Sequence, residues 1–502
     1  MAGARLRGSY PFAVGIALLG LVPNVVLSTA FLPLQDGVGR DLDASPTGVS
    51  LALGLAGASY AVGAVLAAQL ALRIVQRRIF LVAEAVFVAA SVLAAVAPGL
   101  VVFLVGHVTQ GLAAGAMLIT SLPPLVTRFG AARVPVSAAI VNVGIFGAST
   151  LGPIVGGLTA SGEGWRWLLG GTAVLGAAGW LVALVGYDVW EPADPDHPID
   201  LPALVLVVLS TTAVFVGTSL VTGRPFGSWQ VLLPLVGGLV ILVALLVVES
   251  RQADSLVPVG ALATQLPVTG ILVAMLGGAV FVTAVELVET RLAEVGGRSP
   301  TDVAAACWPL PVGAAVGALA FWWLFRTRWV PVLVDTGLLA LAGGSALALV
   351  GPAGGVPVPA MFLLGLGAAA TVSPGLFLTG LSLASAELAR AFALVQLLRS
   401  VATYAVAPVA VALATAASSV GRATDEGLVV MAAVAAAGLV AALVIPALSG
   451  ARLRVPDLDA WLEGEPGLPS PATATHLRPS VVDEQAEPLL PGRSGRHRGG
   501  RP

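Results

Sequence analysis

Residues 11 to 34 read PFAVGIALLGLVPNVVLSTAFLPL, a run of 24 residues without one Asp, Glu, Lys or Arg. The hydrocarbon core of a bilayer is about 30 Å thick, which about 20 apolar residues cross as a helix. No water is available there to bond the backbone N–H and C=O groups, so a spanning segment of this kind is helical. The run is therefore predicted to be a transmembrane helix.

Thirteen further runs of similar length follow, with short loops between them. This count predicts an all-α membrane protein with 14 transmembrane helices. The predicted spans are 11–34, 48–72, 79–98, 100–126, 135–160, 167–187, 201–222, 229–248, 268–290, 303–325, 331–350, 357–380, 391–417 and 427–448.

Composition excludes most other classes. The chain is 57% hydrophobic and 10% charged, whereas a soluble domain carries about 25% charged residues. With a net charge of -2 and no basic stripe, nucleic acid is not an expected partner. No G-x-x-x-x-G-K-[ST] loop is present to hold ATP, and we expect no cofactor. The lone Cys307 allows no disulfide within one chain.

The arginines predict the orientation in the membrane. All 25 basic residues are Arg in an Ala-, Val- and Gly-rich chain, which is typical of a high-GC bacterial gene. Arg5 and Arg7 resemble the start of a signal peptide, but the run after them is long and more spans follow. Thirteen arginines lie on the side of the N-terminus and six on the other. We therefore expect a bacterial plasma membrane protein with both termini in the cytoplasm.

A weak internal repeat predicts the domain organisation. Asn142 precedes Pro153 in span 5 much as Gln396 precedes Pro408 in span 13. This predicts two six-helix bundles, with two extra central helices between them. The predicted domains are 1–190, 191–266 for the inserted helices, 267–450, and a cytoplasmic tail at 451–502. Within the tail, 456–463 is predicted to form a short interfacial helix, followed by disorder from about 465.

One motif carries a family resemblance. Span 5 contains Gly152-Pro153-Ile154-Val155-Gly156-Gly157, and span 6 opens with Gly164-Trp165-Arg166-Trp167. Proline bends a helix and small residues let another helix approach closely. The pattern resembles the fourteen-span drug:proton antiporter branch of the major facilitator superfamily. The resemblance implies two bundles that rock about a central site, and export of small molecules.

Other motifs of that family match in part. Where the family has R-x-x-Q-G in span 4, this chain has His107 to Gly111, including Gln110. In the loop after span 2, Arg73 and Arg77 remain while the family's Asp is absent. Asn24 stands where the family has an Asp in span 1. The resemblance therefore implies transport, but charges that the family uses in proton coupling are replaced here.

Ionisable residues inside the membrane are functional candidates because burying a charge there costs several kcal/mol. His107 lies about 10 Å deep in span 4 at 1.5 Å per residue, and imidazole ordinarily titrates near physiological pH. Its alternative is a neutral side chain bonded to a neighbouring helix. Arg399 lies deep in span 13 and needs a carboxylate, a carbonyl or an anionic substrate group as partner.

Glu286 and Glu289 are three residues apart and share one face of span 9. Repulsion between two close carboxylates favours protonation of one of them, which predicts a proton-carrying site. The alternative, favoured for Glu289, is that span 9 ends earlier and the carboxylates face water beside Arg291. Glu84 in span 3 is a further candidate, although Arg77 or Arg78 is expected to pair with it.

Five polar residues are predicted either to line a path or to bond helices together: Asn24, Tyr60, Gln110, Asn142 and Gln396. We expect a monomeric, proton-coupled exporter of small and possibly lipophilic molecules, and not an enzyme. Two alternatives stay open at this point. One is an enzyme of lipid-linked substrates, with a metal site in the acidic segment 188–200; the other is a facilitator-like protein without proton coupling.

Overall fold

The computed structural model describes residues 7–192, 194–252, 259–351, 355–415, 420–449 and 454–470. In these ranges the chain is helical, with no β-strand. The long helices are α1 Tyr10–Ala30, α2 Pro46–Arg73, α3 Gln76–Ala95, α4 Leu100–Thr127, α5 Val134–Leu158, α6 Gly164–Gly186, α7 Leu201–Leu220, α8 Trp229–Glu249, α9 Gln265–Val295, α10 Pro300–Leu324, α11 Val330–Leu347, α12 Val358–Leu381, α13 Leu388–Thr415 and α14 Val420–Ser449.

The predicted fold class is confirmed. Thirteen of these helices, all except α13, have the length and apolar composition needed to cross a membrane. The remaining helix, α13, covers most of the predicted thirteenth span and packs among the others against α2, α9 and α14. The protein is a multi-pass membrane protein.

The outer surface of the helices explains why the chain is so rich in apolar residues. Large apolar side chains such as Val101, Trp167, Val174 and Trp323 are 70 to 79% exposed. In water such a surface would be an aggregation liability, whereas lipid chains cover it at no cost.

Each half is held together mostly by contacts between helices that are not consecutive in the chain. In the first half α2 packs against α4, α3 against α4 and α6, and α1 against α5 and α6. In the second half α12 packs against α9, α10 and α11, while α9 also contacts α13 and α14. The halves meet where α5 contacts α10 and α12, and where α2 contacts α13. We call α1–α6 the N-terminal bundle and α9–α14 the C-terminal bundle.

The helix array has two end faces. The proximal face is where α1 begins at Tyr10, and the distal face is where it ends at Ala30. At the proximal face Arg326 donates to the carbonyl oxygen of Ala131 at 3.1 Å, which joins the two bundles.

The C-terminal segment is ordered further than expected. Residues 454–470 pack on the proximal face, with a short helix at Leu458–Leu462. The indole of Trp461 is fully buried and donates to the carbonyl oxygens of Gly380 and Leu383 at 3.2 and 3.0 Å. Leu468 N–H donates to the carbonyl oxygen of Leu381 at 2.9 Å. The expectation of disorder from about residue 465 is therefore wrong up to residue 470, because these hydrogen bonds offset the conformational entropy lost when the chain is ordered. Residues 471–502 lie outside the described ranges.

Candidate functional site

A cavity of about 290 Å³ lies between the two bundles. Its walls come from α1, α2, α4, α5, α7, α9, α12 and α13. Among the lining residues, Gln35 follows the distal end of α1 and Ser50 lies near the distal end of α2. Leu118 and Val372 lie near the middle of α4 and α12. The cavity therefore occupies the distal half of the molecule and ends near its middle.

Arg399 lies in the inner part of this cavity. Its Nε donates to Gln396 Oε1 at 3.3 Å, and its guanidinium carbon lies 5.9 Å from the centre of the Phe146 ring. Among the described side chains no carboxylate lies within ion-pair distance of it. An unpaired guanidinium in such a site is a strong recognition group for an anion. In the described part of the chain, the hydrogen-bond partner of Arg399 is the Gln396 amide oxygen.

Glu286 and Glu289 both line the cavity from α9. Glu289 is 5% exposed, and its Oε1 has no hydrogen-bond partner in the described part of the chain. Arg291 is engaged elsewhere, with Asp425 at 3.2 Å and the carbonyl oxygen of Ala348 at 2.7 Å. The favoured expectation that Glu289 faces water beside Arg291 is therefore wrong, because α9 continues as a helix to Val295.

The charges are ordered along the cavity. On α9, Gly278 faces Arg399, since a Cβ at that position would lie 3.4 Å from Arg399 Cγ. Glu286 follows eight residues later, which is about 12 Å nearer the distal face at 1.5 Å per residue. The carboxylates thus lie toward the distal mouth and the guanidinium lies at the floor.

His107 lines the same cavity and is only 7% exposed. Its Nδ1 lies 2.9 Å from Gln110 Oε1, and the amide nitrogen of Gln110 donates to Ser91 Oγ at 2.7 Å. Since that amide donates to Ser91, its oxygen accepts from the imidazole, so Nδ1 carries a proton and Nε2 is left to accept. The ring also stacks on Phe103 at a centroid distance of 5.4 Å.

The five polar candidates separate into two groups. Asn24, Tyr60 and Gln396 line the cavity. Gln110 and Asn142 do not line it: Gln110 joins α4 to α3, and Asn142 Nδ2 donates to the carbonyl oxygen of Ala369 at 2.9 Å, which joins the two bundles. Asn142 also begins a π-helical stretch that ends at Gly147.

Glu84 lies outside the cavity, inside the N-terminal bundle. It is fully buried, and neither carboxyl oxygen has a hydrogen-bond partner among the described residues. The space for it is made by Gly179 of α6, where a Cβ would overlap Glu84 Oε1. The expected ion pair with Arg77 or Arg78 is wrong, because Arg77 instead donates to the carbonyl oxygen of Leu184 at 2.9 Å. Glu84 points inward between helices rather than toward the proximal face.

The glycine motif holds three helices close together. A Cβ at Gly152 would overlap Thr29 of α1, and one at Gly156 would overlap the carbonyl oxygen of Ala30. At Gly157 it would meet the carbonyl oxygen of Pro300 at 2.5 Å, in the C-terminal bundle. Pro153 itself lines the cavity. The motif therefore forms a contact between the bundles at the distal end of α5.

The W-R-W motif and the loop arginine Arg73 form side-chain hydrogen bonds that join neighbouring segments. Trp165 donates to Asp41 Oδ2 at 2.7 Å, and Arg166 donates to the carbonyl oxygens of Ala95 and Ala97, which close the end of α3. At the proximal face Arg73 donates to the carbonyl oxygen of Pro195 at 3.5 Å.

Sequence reasoning missed one wall of the cavity. Phe215, Thr218 and Ser219 of the inserted helix α7 line it. None of these residues belongs to a motif or carries a charge. The available signal was the pair Gly54 and Gly57 on α2, whose spacing predicts close approach of another helix.

Comparison with known proteins identifies the family. Residues 17–408 match the model of the Major Facilitator Superfamily. The chain belongs to the major facilitator superfamily. This family and this fold are those of transporters rather than of enzymes. In the described part of the chain no group of three or more His, Cys, Asp or Glu side chains is arranged to hold a metal ion.

Curated relatives are similar over part of the chain. It is 24% identical over 279 residues to "Uncharacterized MFS-type transporter YubD" of Bacillus subtilis, covering 55% of this chain and 53% of that one. It is 37% identical over 124 residues to "Drug efflux pump JefA" of Mycobacterium tuberculosis, covering 24% of each chain. The matched regions thus span about half of these relatives or less.

Solved structures share the fold. The crystal structure of the human organic anion transporter MFSD10 aligns with a TM-score of 0.60 and 16% identity, over 87% of this chain and 100% of that one. A POT family transporter in complex with 5-aminolevulinic acid aligns with a TM-score of 0.61 and 16% identity, over 87% and 95%. At this identity the likeness concerns the fold alone.

Proposed function

We propose that this transporter exports small lipophilic molecules across a bacterial plasma membrane in exchange for protons. The observation that carries the proposal is the placement of Glu286 and Glu289 in the same cavity as the unpaired Arg399. Carboxyl groups that face a cavity can gain protons from one side of the membrane and lose them to the other. Relatives whose names describe drug efflux and multidrug resistance support this substrate class.

The order of the charges suggests how exchange works. With the cavity open at the distal face, protons reach the carboxylates near the mouth first. Protonation removes two negative charges from a site of low dielectric constant, so that the bundles can close over them at less cost. When the cavity faces the proximal side the protons leave, and the apolar walls take up a lipophilic molecule.

The proposal includes an orientation and a subfamily. Among the described residues, eleven arginines near the proximal face against six near the distal face support a cytoplasmic proximal face with both termini inside. The fourteen long helices and the Gly152 to Gly157 motif support the fourteen-span drug:proton branch. We also propose a monomer as the working unit.

The test is accumulation of lipophilic dyes and antibiotics in an efflux-deficient bacterial host that expresses the chain, with and without a protonophore. We expect lower accumulation than in the empty host, and a return to the control level when the protonophore collapses the gradient. Low accumulation that persists under the protonophore would refute proton coupling. Unchanged accumulation of the whole panel, with the protein present in the membrane, would refute lipophilic export.

A further inference from the structure

The first inserted helix, α7, closes the cavity where α2 of the N-terminal bundle faces α13 of the C-terminal bundle. Three of its residues, Phe215, Thr218 and Ser219, belong to the cavity wall. Its partner α8 packs on the side of α7 away from the cavity, with large exposed side chains such as Leu233 and Val240. The two inserted helices therefore differ in role, because only α7 reaches the cavity.

We propose that α7 is a wall of the substrate site that moves with the N-terminal bundle, and that Phe215 positions Tyr404 to form a subsite for flat aromatic groups. This rests on the proposed function and adds a specificity-determining residue to it. Phe215 is a positioning residue, because its side chain is fully buried and its part in the subsite is to hold the tyrosine ring.

At the distal end α7 is bonded to α2. Ser219 Oγ donates to the carbonyl oxygen of Ser50 at 3.1 Å, and the hydroxyls of Thr222 and Ser50 lie 3.2 Å apart. The backbones approach closely because Gly54 has no side chain, and a Cβ there would overlap Ser219 Oγ.

At the proximal end the segment leading into α7 is bonded to the same helix. Asp194 N–H donates to the carbonyl oxygen of Leu72 at 3.0 Å, and Gln69 Nε2 donates to the carbonyl oxygen of Asp200 at 3.5 Å. Polar contacts at both ends of one helix pair oppose sliding, since sliding would break these hydrogen bonds.

The contact between α7 and the C-terminal bundle is made by aromatic rings and not by hydrogen bonds among the described side chains. The Phe215 and Tyr404 rings lie 5.0 Å apart at 42°, and no hydrogen bond between α7 and α13 occurs among the described side chains. Both rings fit over Gly57, where a Cβ would lie 2.8 Å from Phe215 and 3.1 Å from Tyr404. Apolar contacts have little directional preference, so Tyr404 can slide across Phe215 when the bundles rock.

A disulfide clamp tests which bundle carries α7. A Cβ at Gly223 would lie 3.5 Å from the Cβ of Thr47, which suits a disulfide. The pair Thr47→Cys and Gly223→Cys is made in a Cys307→Ala background, and efflux of ethidium and of a larger bis-benzimide dye is measured with the disulfide formed and reduced. We expect equal rates in both states. A loss of transport on oxidation that reduction restores would overturn the proposal, because α7 would then move relative to α2.

A positive control shows that a clamp between bundles does block the protein. Ala131→Cys and Arg326→Cys are joined by a short bifunctional thiol reagent, which replaces the arginine side chain that bridges these positions at the proximal face. We expect this clamp to stop transport of both dyes. Continued transport with both clamps closed would also contradict the proposal, since no rocking would then be needed.

Substitution of Phe215 tests the subsite. With Phe215→Ala we expect the KM for the larger dye to rise about tenfold relative to that for ethidium, with similar maximal rates. Phe215→Leu should reverse most of this rise. Leu209→Ala, at a 50% exposed position of the same helix, is the matched control and leaves both constants unchanged. Equal KM changes for the two dyes would overturn the subsite. Absence of transport in the unmodified protein would instead count against the proposed function.

Discussion

The N-terminal bundle contributes Asn24, Tyr60 and the imidazole of His107 to the central cavity, whereas the C-terminal bundle contributes Glu286, Glu289 and Arg399. The acidic residue buried in the N-terminal bundle, Glu84, lies away from the cavity. The two bundles have similar helix arrangements but place fixed charge differently. Proton and anion chemistry therefore belongs to the C-terminal bundle in our account, while the N-terminal bundle supplies packing contacts and neutral polar walls.

The largest expected effect comes from removing the cavity guanidinium. Arg399→Ala should lower efflux of a lipophilic dye that carries a carboxylate about 100-fold, which corresponds to about 3 kcal/mol of lost interaction with that anionic group. The measurement is the initial rate of efflux in the efflux-deficient host, with the amount of protein in the membrane determined in parallel. Arg399→Lys keeps the charge but not the planar fork and should recover part of the rate. A normal rate in the alanine variant would contradict the role given to Arg399.

The second effect concerns the two carboxyl groups. Replacing both Glu286 and Glu289 by Gln should lower gradient-driven efflux about tenfold or more, because an amide neither binds nor releases a proton. The matched control is Glu294→Gln, an exposed acidic position on the same helix, which should leave the rate unchanged. Efflux by the double variant that remained sensitive to the protonophore would place the coupling group elsewhere.

Packing at the glycine motif should affect stability before transport. Gly156→Ala forces a methyl group against the carbonyl oxygen of Ala30 and should cost about 1–3 kcal/mol. Gly170→Ala on α6 meets open space and should be neutral or slightly stabilising. The comparison is the thermal midpoint of the two purified variants in detergent. An unchanged midpoint for Gly156→Ala would show that the close approach of α1 is not required.

A smaller effect is expected at His107. His107→Gln retains a side chain that can bond Gln110 but cannot carry the imidazole proton, and should lower efflux by about threefold. The measurement is the pH dependence of the initial rate. In our account the Glu286 and Glu289 groups carry the coupling, so the pH profile should keep its shape. A profile that flattened in this variant would make the N-terminal bundle part of the coupling machinery.

The smallest effect should come from Glu84. Glu84→Gln should change efflux by less than about twofold, because the side chain does not reach the cavity. The measurement is again the initial efflux rate, compared at equal protein level. A loss as large as that of the Glu286 and Glu289 double variant would erase the distinction between the bundles.

Much of the fold follows from the sequence for a simple reason. Apolar length and the absence of charge are local properties, so that the spans from residues 11–34 to 427–448 could be located without knowledge of their neighbours. Arg399 and His107 were identified in the same way, since a polar group deep in an apolar run stands out. Both line the cavity.

Which neighbour each group meets could not be predicted. Glu84 was expected to pair with an arginine one to two turns away, but its side chain turns between α1 and α6 instead. Asn142 and Gln110 have the same chemistry as Asn24, yet they bond helices rather than line the cavity. Phe215 carried no signal of its own beyond the Gly54 and Gly57 pair on α2, because its role depends on the packing of α7 between helices far away in sequence. Helical periodicity defines the face of a residue but not the helix opposite it.

The most direct test of the account measures proton flux and dye transport together in proteoliposomes with an imposed pH gradient. For the unmodified protein we predict that the gradient drives dye to a concentration difference, with proton movement that requires the dye. For the Glu286→Gln and Glu289→Gln double variant we predict equilibration of dye without accumulation and without proton movement. Accumulation of dye by the double variant at the unmodified rate would contradict the claim that these two carboxyl groups couple transport to protons.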